Sequence, residues 1–497
     1  MTTAPSSLRS TLVFLSKNSG LFLIVNIVGA CASIGLLPLF TRYLTPSEYG
    51  IIALLDSTVA IFSAFCTAGL GQAAVRFYHS AADDQQRRQA ISTAMLMSGS
   101  VTVCALVLLT FSSSPIAFLA FKNHEHDNFV LLAVSTMLIG LPGGIASSVL
   151  MASGRARLVC TIELVKIVFN ASLKIYLVVF LQQGINGVLW TNFISAVFFS
   201  TGLALWMIFS VGVHFNRSFI GPMLRYGLPF VPTILSSIGM HQLNRFFLNA
   251  YTTADQVAYY QLAFQLPFAL NSLILSSFEA VWSSRVVFTV AKTPDALTQY
   301  SRLSTYFLAF LSFPLFAVAI SAKVLVKILA APSYAPAALY IPFIAFGLWV
   351  YTFHVFVRTG IILSKDTYAL PINYGLTLGI TILLNWLLIP RFGAYGAAYA
   401  TVLIYFFFSF AGGFIYKGFR YLDLRRLAAI TLLWVTLVLL RQQIGTQVVY
   451  IEILWDMFFS VLYLGLMFYL PFCMSKGERV TIFDFIKKYI ATKLKHA

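Results

Sequence analysis

Residues 45–54 read TPSEYGIIAL, and 208 residues later residues 253–262 read TADQVAYYQL. Each stretch opens an apolar run long enough to cross a bilayer. A second pair lies almost the same distance apart: GINGVLWT (184–191) and GAYGAAYA (393–400), at an offset of 209. Either likeness alone is loose. Two at nearly one offset predict that the chain holds two copies of one unit.

Runs of about 20 apolar residues, the length a ~30 Å hydrocarbon core requires, fall at 18–40, 49–70, 91–111, 129–151, 158–181, 187–210, 227–250, 258–281, 300–321, 337–358, 368–389, 394–416, 427–444 and 450–473. These fourteen spans predict an all-α polytopic membrane protein. Spans 1–6 form an N-lobe (18–211) and spans 7–12 a C-lobe (227–416), with two extra spans in 427–473. Six is even, so the copies share an orientation and are related by an axis along the membrane normal. Residues 1–17 form the N-terminus and 212–226 the inter-lobe linker. The tail (474–497) ends in RVTIFDFIKKYIATKLKHA, with Ile482, Ile486, Ile490 and Leu494 at steps of four and lysines opposite. That pattern suits a basic amphipathic helix lying on a membrane surface.

Of the 497 residues, 59% are hydrophobic and 10% charged, against ~25% charged in soluble proteins; the mean hydropathy is +0.85. No long segment has soluble-domain composition. P-loop, HExxH, nucleophile-elbow and dinucleotide motifs are missing from the sequence, so no enzyme is expected. Cys31, Cys66, Cys104, Cys160 and Cys473 all sit in or beside apolar runs and read as packing residues. His124, Glu125 and His126 read as an exposed polar loop, since three adjacent residues rarely converge on one ion. With both termini placed in the cytoplasm, 24 of the 33 Lys and Arg residues fall on cytoplasmic segments, seven on the opposite side and two inside span five. The bias supports that orientation. It attributes much of the +17 charge to topology and attraction to anionic lipid, not to nucleic acid.

The two intramembrane lysines belong to TIELVKIVFNASLKIYLVVF (161–180). Glu163, Lys166, Asn170 and Lys174 are spaced by three, four and four. At ~100° per residue they share an arc of roughly 80°, and the stripe runs about 16 Å. Charge at that depth persists mainly where it faces a bundle interior or water. Glu163 and Lys166 are close enough to pair. Lys174 has no acid one turn away and lies about 6 Å from the helix midpoint, so it is expected to face an aqueous cavity. At offset 209 the stripe maps onto Ile372, Gly375, Gly379 and Leu383, an apolar, small-residue face suited to close helix packing. The charge is therefore specific to the first copy and predicts one wall of an anion-accepting cavity.

Other polar groups recur near span ends. Arg76 in GLGQAAVRFY (69–78) and Arg285 in FEAVWSSRVVF (278–288) match across the repeat and read as headgroup anchors or contacts. Arg245 in HQLNRFFLNAY (241–251) shares a helix face with His241. Asp56 and Glu279 are buried acids. Each is either a coupling-ion carboxylate or a partner of Arg or Lys on another helix. The sequon at Asn216 falls on the cytoplasmic side and is set aside.

The run LPLFTRYLTPSEYGIIALLDSTVAIFSAFCTAGLGQAAVRFYH (37–79), with its YLTPSEYG and VRFY, and NWLLIPRFGAYGAAYAT (385–401) resemble bacterial polysaccharide-biosynthesis membrane proteins of the Wzx type. These are lipid-linked oligosaccharide flippases of the MOP superfamily, alongside MurJ-like flippases and MATE exporters. The resemblance covers spans 1–12. It implies a flippase of the bacterial inner membrane that moves an undecaprenyl-pyrophosphate-linked repeat unit of O-antigen, capsule or exopolysaccharide to the outer leaflet. The two lobes would rock around a cationic cavity. Lys166, Lys174 and Arg245 would offset the diphosphate charge, Asn170 and His241 would hydrogen-bond, and Glu163 would share the wall. Arg76 and Arg285 would touch headgroups, and Asp56 and Glu279 would serve H+ or Na+ coupling; no cofactor is implied. A polysaccharide polymerase and chain-length proteins are the implied protein partners. The family often has an acid near Gly71 and near Asn244, and this chain has neither. The rival readings are a MATE-like exporter of small cationic solutes and a non-transporting partner of a polysaccharide synthase.

Overall fold

The computed structural model describes residues 24–121, 126–364, 369–445 and 448–470. His124, Glu125, Cys473 and the basic tail lie outside the described residues. Among those described, the regular elements are all helical, and the described part of each expected span is largely helix. Among the described residues, nine helices are long and apolar enough to cross a membrane by length and composition. One of them, Ala369–Ile415, carries both expected spans eleven and twelve and is broken at Gly393. The chain is an all-helical, multi-pass membrane protein.

The two repeated motifs meet in space, which explains why they recur together. Thr45 caps the helix Pro46–Thr67 through a reciprocal capping box with Glu48, with Pro46 in the first turn, so TPSE is a helix start. A Cβ on Gly184 would lie 3.0 Å from Glu48 Oε1. In the second copy a Cβ on Gly393 would lie 2.6 Å from Gln256 Oε1, which accepts a hydrogen bond from the Ala394 N–H at 3.0 Å. Gly184 and Gly393 have φ of 54° and 56°, values that glycine adopts without steric cost. In the second copy an amide from the helix start thus braces the sharp turn between the last two spans, and in the first a carboxylate lies beside the matching turn.

Gly393→Ala therefore combines a left-handed backbone with a clash, at a cost of ~1–3 kcal/mol. The thermal midpoint of the purified protein should fall. Gly379→Ala is the control, because a Cβ there meets nothing within 4 Å; it should leave the midpoint level or raise it. Equal midpoints for the two variants would show that the brace does not set the turn.

Two compact units organise the described residues. One takes in the chain up to Leu262 with Leu329–Pro336 and Leu370–Ile404; the other takes Ala263–Ile328, Ala337–Ala369 and the chain from Tyr405. In the first, Leu70, Ala94, Ile145, Val149 and Met223 pack in one core. The linker is tied to the start of span three, where the Asn216 amide donates to Gln89 Oε1 at 2.9 Å and the His214 N–H to Ser92 Oγ at 2.9 Å. In the second unit the extra spans pack on span nine: Phe316 stacks on Tyr463 with centroids 4.3 Å apart, and the Tyr463 hydroxyl donates to Ser312 Oγ at 2.7 Å. In lipid such contacts rely on packing and satisfied polar groups rather than on exclusion of water. Buried hydroxyls accordingly bond back along their own helices, as Ser57 does to the Ala53 carbonyl at 2.8 Å.

The expectation of close packing on the Ile372–Leu383 face is corrected. Gly375 and Gly379 front open space, and Ile372 and Leu383 are 55% and 46% exposed. The small residues leave this face bare instead of admitting a neighbouring backbone. The described cysteines Cys31, Cys66, Cys104 and Cys160 are all free thiols.

Candidate functional site

Span five brings Glu163, Lys166 and Asn170 to a cavity of about 1050 Å³ formed within the first unit by spans two to six. The opposite walls come from small and hydroxylated side chains. Span four contributes Thr136, Gly140, Gly144 and Ser148, and span six contributes Asn192 and Ser195. A Cβ on Gly140 or Gly144 would meet nothing within 4 Å, so these glycines widen the space. The result is a chamber of mixed polar and apolar walls inside a helical bundle, with Leu141, Ile145 and Phe199 among the apolar ones.

The charges in it are weakly committed. Lys166 Nζ lies 3.3 Å from Glu163 Oε2, with side chains 34% and 39% exposed. A pair this accessible to water contributes about 0–1 kcal/mol, so an incoming anion can draw the ammonium away. Asn170 donates to Ser195 Oγ at 3.0 Å, while its Oδ1 is buried without a partner among the described residues. That oxygen is free to accept from a ligand hydroxyl. Arg76 also lines the cavity, its guanidinium 4.2 Å above the Tyr226 ring. This cation–π contact contributes ~0.5–1 kcal/mol and steadies the side chain against the linker helix Ile220–Gly227. The structure thus places Arg76 with Lys166, beyond the headgroup contact that the sequence suggested. Sequence reading also missed Gln72, Asn192 and the span-four hydroxyls. Polar residues at helical spacing in an apolar run were the available signal.

Lys174 does not line this cavity. It sits where the α-helix of span five passes into a π-helical turn, Ile175–Phe180. Its ammonium lies 6.0 Å from the Phe40 ring centroid and within Coulombic range of Asp56. Asp56, read from the sequence as a buried acid, is instead exposed, and it also feels Arg245. Arg245 is buried and donates to Gln261 Oε1 at 2.6 Å and to the His241 carbonyl at 3.0 Å. His241 therefore meets Arg245 through its backbone. The stripe serves two polar sites, a chamber at Glu163–Asn170 and a mixed-charge cluster at Lys174.

The remaining candidates lie elsewhere. Glu279 forms an ion pair with Arg358 in the second unit, so of its two readings the described contact is the partnered one. The side chain of Arg285 lies outside the described residues. Near Asn244, where the resemblance anticipated an acid, neutral groups interlock. The Asn244 amide donates to Tyr260 Oη at 2.8 Å and Thr401 Oγ1 at 2.9 Å, and Asn385 donates to Asn244 Oδ1 at 3.2 Å.

A family model described as "Polysaccharide biosynthesis protein" matches residues 39–339; no curated protein sequence matches. Among solved structures, the chain is similar to the lipid II flippase MurJ in an inward closed conformation, with a TM-score of 0.72 and 14% identity over 91% of this chain and 98% of that one. It is also similar to an inward-facing multidrug resistance MATE family transporter of the MOP superfamily, with a TM-score of 0.58 and 14% identity over 80% and 94% of the two chains. A MOP superfamily transporter from Pyrococcus furiosus gives a TM-score of 0.56 and 14% identity over 81% and 95%. At such identity these likenesses establish the fold alone. The family match spans more than half of the sequence, and the chain belongs to the polysaccharide biosynthesis protein family, built on the helical fold of MOP-superfamily transporters.

Proposed function

We propose that this protein is a flippase for a polyprenyl-pyrophosphate-linked oligosaccharide, moving it from the cytoplasmic to the outer leaflet of a bacterial inner membrane. The chamber of about 1050 Å³ carries the reading. It is as large as the largest small-molecule pockets, ~1,000 Å³, and its walls carry hydroxyls, amides, two cations and one acid among apolar side chains. A hydrated sugar headgroup needs such walls, because an unpaired polar group in hydrocarbon costs several kcal/mol. Arg76 and Lys166 against Glu163 leave the chamber net positive, which favours a diphosphate and disfavours a cationic solute. The polyprenyl tail would stay in lipid. The lobes 18–211 and 227–416 would alternate access by rocking about 212–226, with both termini cytoplasmic. Polymerase and chain-length proteins would act on the product.

The test is a proteoliposome assay. A fluorescent lipid-linked oligosaccharide in the inner leaflet should become accessible to an external glycosidase at least tenfold faster with the protein than in empty vesicles. A cationic dye should not be transported. Dye transport without glycan translocation would replace this reading with a MATE-like exporter. No transport of either would favour a structural partner of a polysaccharide synthase.

A further inference from the structure

A second cationic pocket lies in the other unit, far along the chain from the stripe. It has a volume of about 390 Å³ and is bordered by the first turns of spans nine and thirteen and the turn Gly418–Tyr421. Arg302, Arg420 and Arg426 converge on it, with hydroxyls from Thr298, Ser301 and Thr305. Its one acid is already committed. Asp423 accepts from the Arg426 backbone N–H at 3.2 Å and pairs with Arg426 Nε at 3.1 Å. Arg302 has no ion pair among the described residues, and Arg420 only faces the Tyr421 ring at 5.0 Å. Three guanidiniums therefore face one carboxylate and leave the pocket net positive, and the positive ends of two helix dipoles add to their field. Converging like charges repel, and an anion with several acceptor oxygens relieves that repulsion while using the guanidinium forks.

We infer that this pocket binds the phosphate of an anionic lipid headgroup at the inner leaflet. The Lys/Arg bias places this end of the helices in the cytoplasm. The pocket's rim is partly apolar: Leu297, which lines it, is 51% exposed, and Leu424, next to Asp423, is 44% exposed. Guanidiniums beside exposed leucines match a phosphate with acyl chains attached, better than a free ion. Basic pockets between helices on the cytoplasmic side are a recurrent form of lipid headgroup site.

The experiment uses the full-length protein in detergent and native mass spectrometry, with short-chain phosphatidylglycerol, phosphatidylcholine of the same chain length and inorganic phosphate as probes. The wild type should retain phosphatidylglycerol at a concentration at least tenfold below that needed for either other probe. Arg302→Gln with Arg420→Gln should weaken retention at least fivefold. Both side chains are exposed, so the fold should persist, and Arg302→Gln alone supplies a milder second variant with a smaller drop. Arg425→Gln removes an equal charge beside the pocket without lining it and should change little. Retention unchanged in both pocket variants would overturn the site. An equal loss in Arg425→Gln would reduce it to diffuse attraction. Inorganic phosphate binding as tightly as the lipid would overturn the lipid source.

Discussion

Lys174→Ala is expected to cut surface glycan roughly 10- to 100-fold in a strain that depends on this protein, while membrane levels of the variant stay normal. A hydrogen bond to a charged group is worth ~1.5–3 kcal/mol, and each ~1.4 kcal/mol is a factor of ten. Lys174 is half-buried, beside Phe40 and within the field of Asp56. On the proposed function its loss removes a cation near the path of the diphosphate, and it leaves Asp56 in the field of Arg245. Lys174→Arg should retain most export and Lys174→Gln should not, because charge is the property required. Asp56 divides two accounts of the cluster. If Asp56 only restrains Lys174, Asp56→Asn alone should leave export near normal and should change nothing further in a Lys174→Gln background. If the carboxylate carries a coupling ion, Asp56→Asn alone should abolish export. Normal surface glycan with Lys174→Ala at normal membrane levels would remove this residue from the transport path.

The spans were legible because their signal is local: length and apolarity suffice when every backbone group must be satisfied within its own helix. The repeat was legible from TPSE and GING because those short motifs lie together in space, Glu48 beside Gly184 and Gln256 beside Gly393. The stripe was legible only in part. Its shared helix face followed from spacing, but what faces each turn depends on other helices. Spans two, four and six enclose Glu163, Lys166 and Asn170, whereas Asp56 lies near Lys174. Glu279 illustrates the same limit, since its partner Arg358 is 79 residues away. The Ile372–Leu383 face was misread because small residues permit close packing without requiring it, and here no neighbour takes the space beside the glycines.

Arg441→Ala should cause the largest loss of stability in the molecule. Arg441 closes span thirteen and is almost fully buried with Asp456 of span fourteen. Its Nε lies 2.7 Å from Asp456 Oδ1, and its other nitrogens donate to the Ile444 carbonyl at 2.8 Å and the Glu452 carbonyl at 3.4 Å. Removing one partner of a buried pair strands the other charge and costs ~3–5 kcal/mol, a large share of a typical ~5–15 kcal/mol stability. The purified yield and thermal midpoint of Arg441→Ala should both fall sharply. Arg441→Met with Asp456→Leu should recover most of the loss, because the desolvation cost of burying two ions disappears with them. The double variant also separates scaffold from mechanism. The pair lies in the two spans outside both six-helix copies, so export should return along with stability. Stability regained without export would instead mean that spans thirteen and fourteen contribute charge to transport, and the flippase cycle would have to include them.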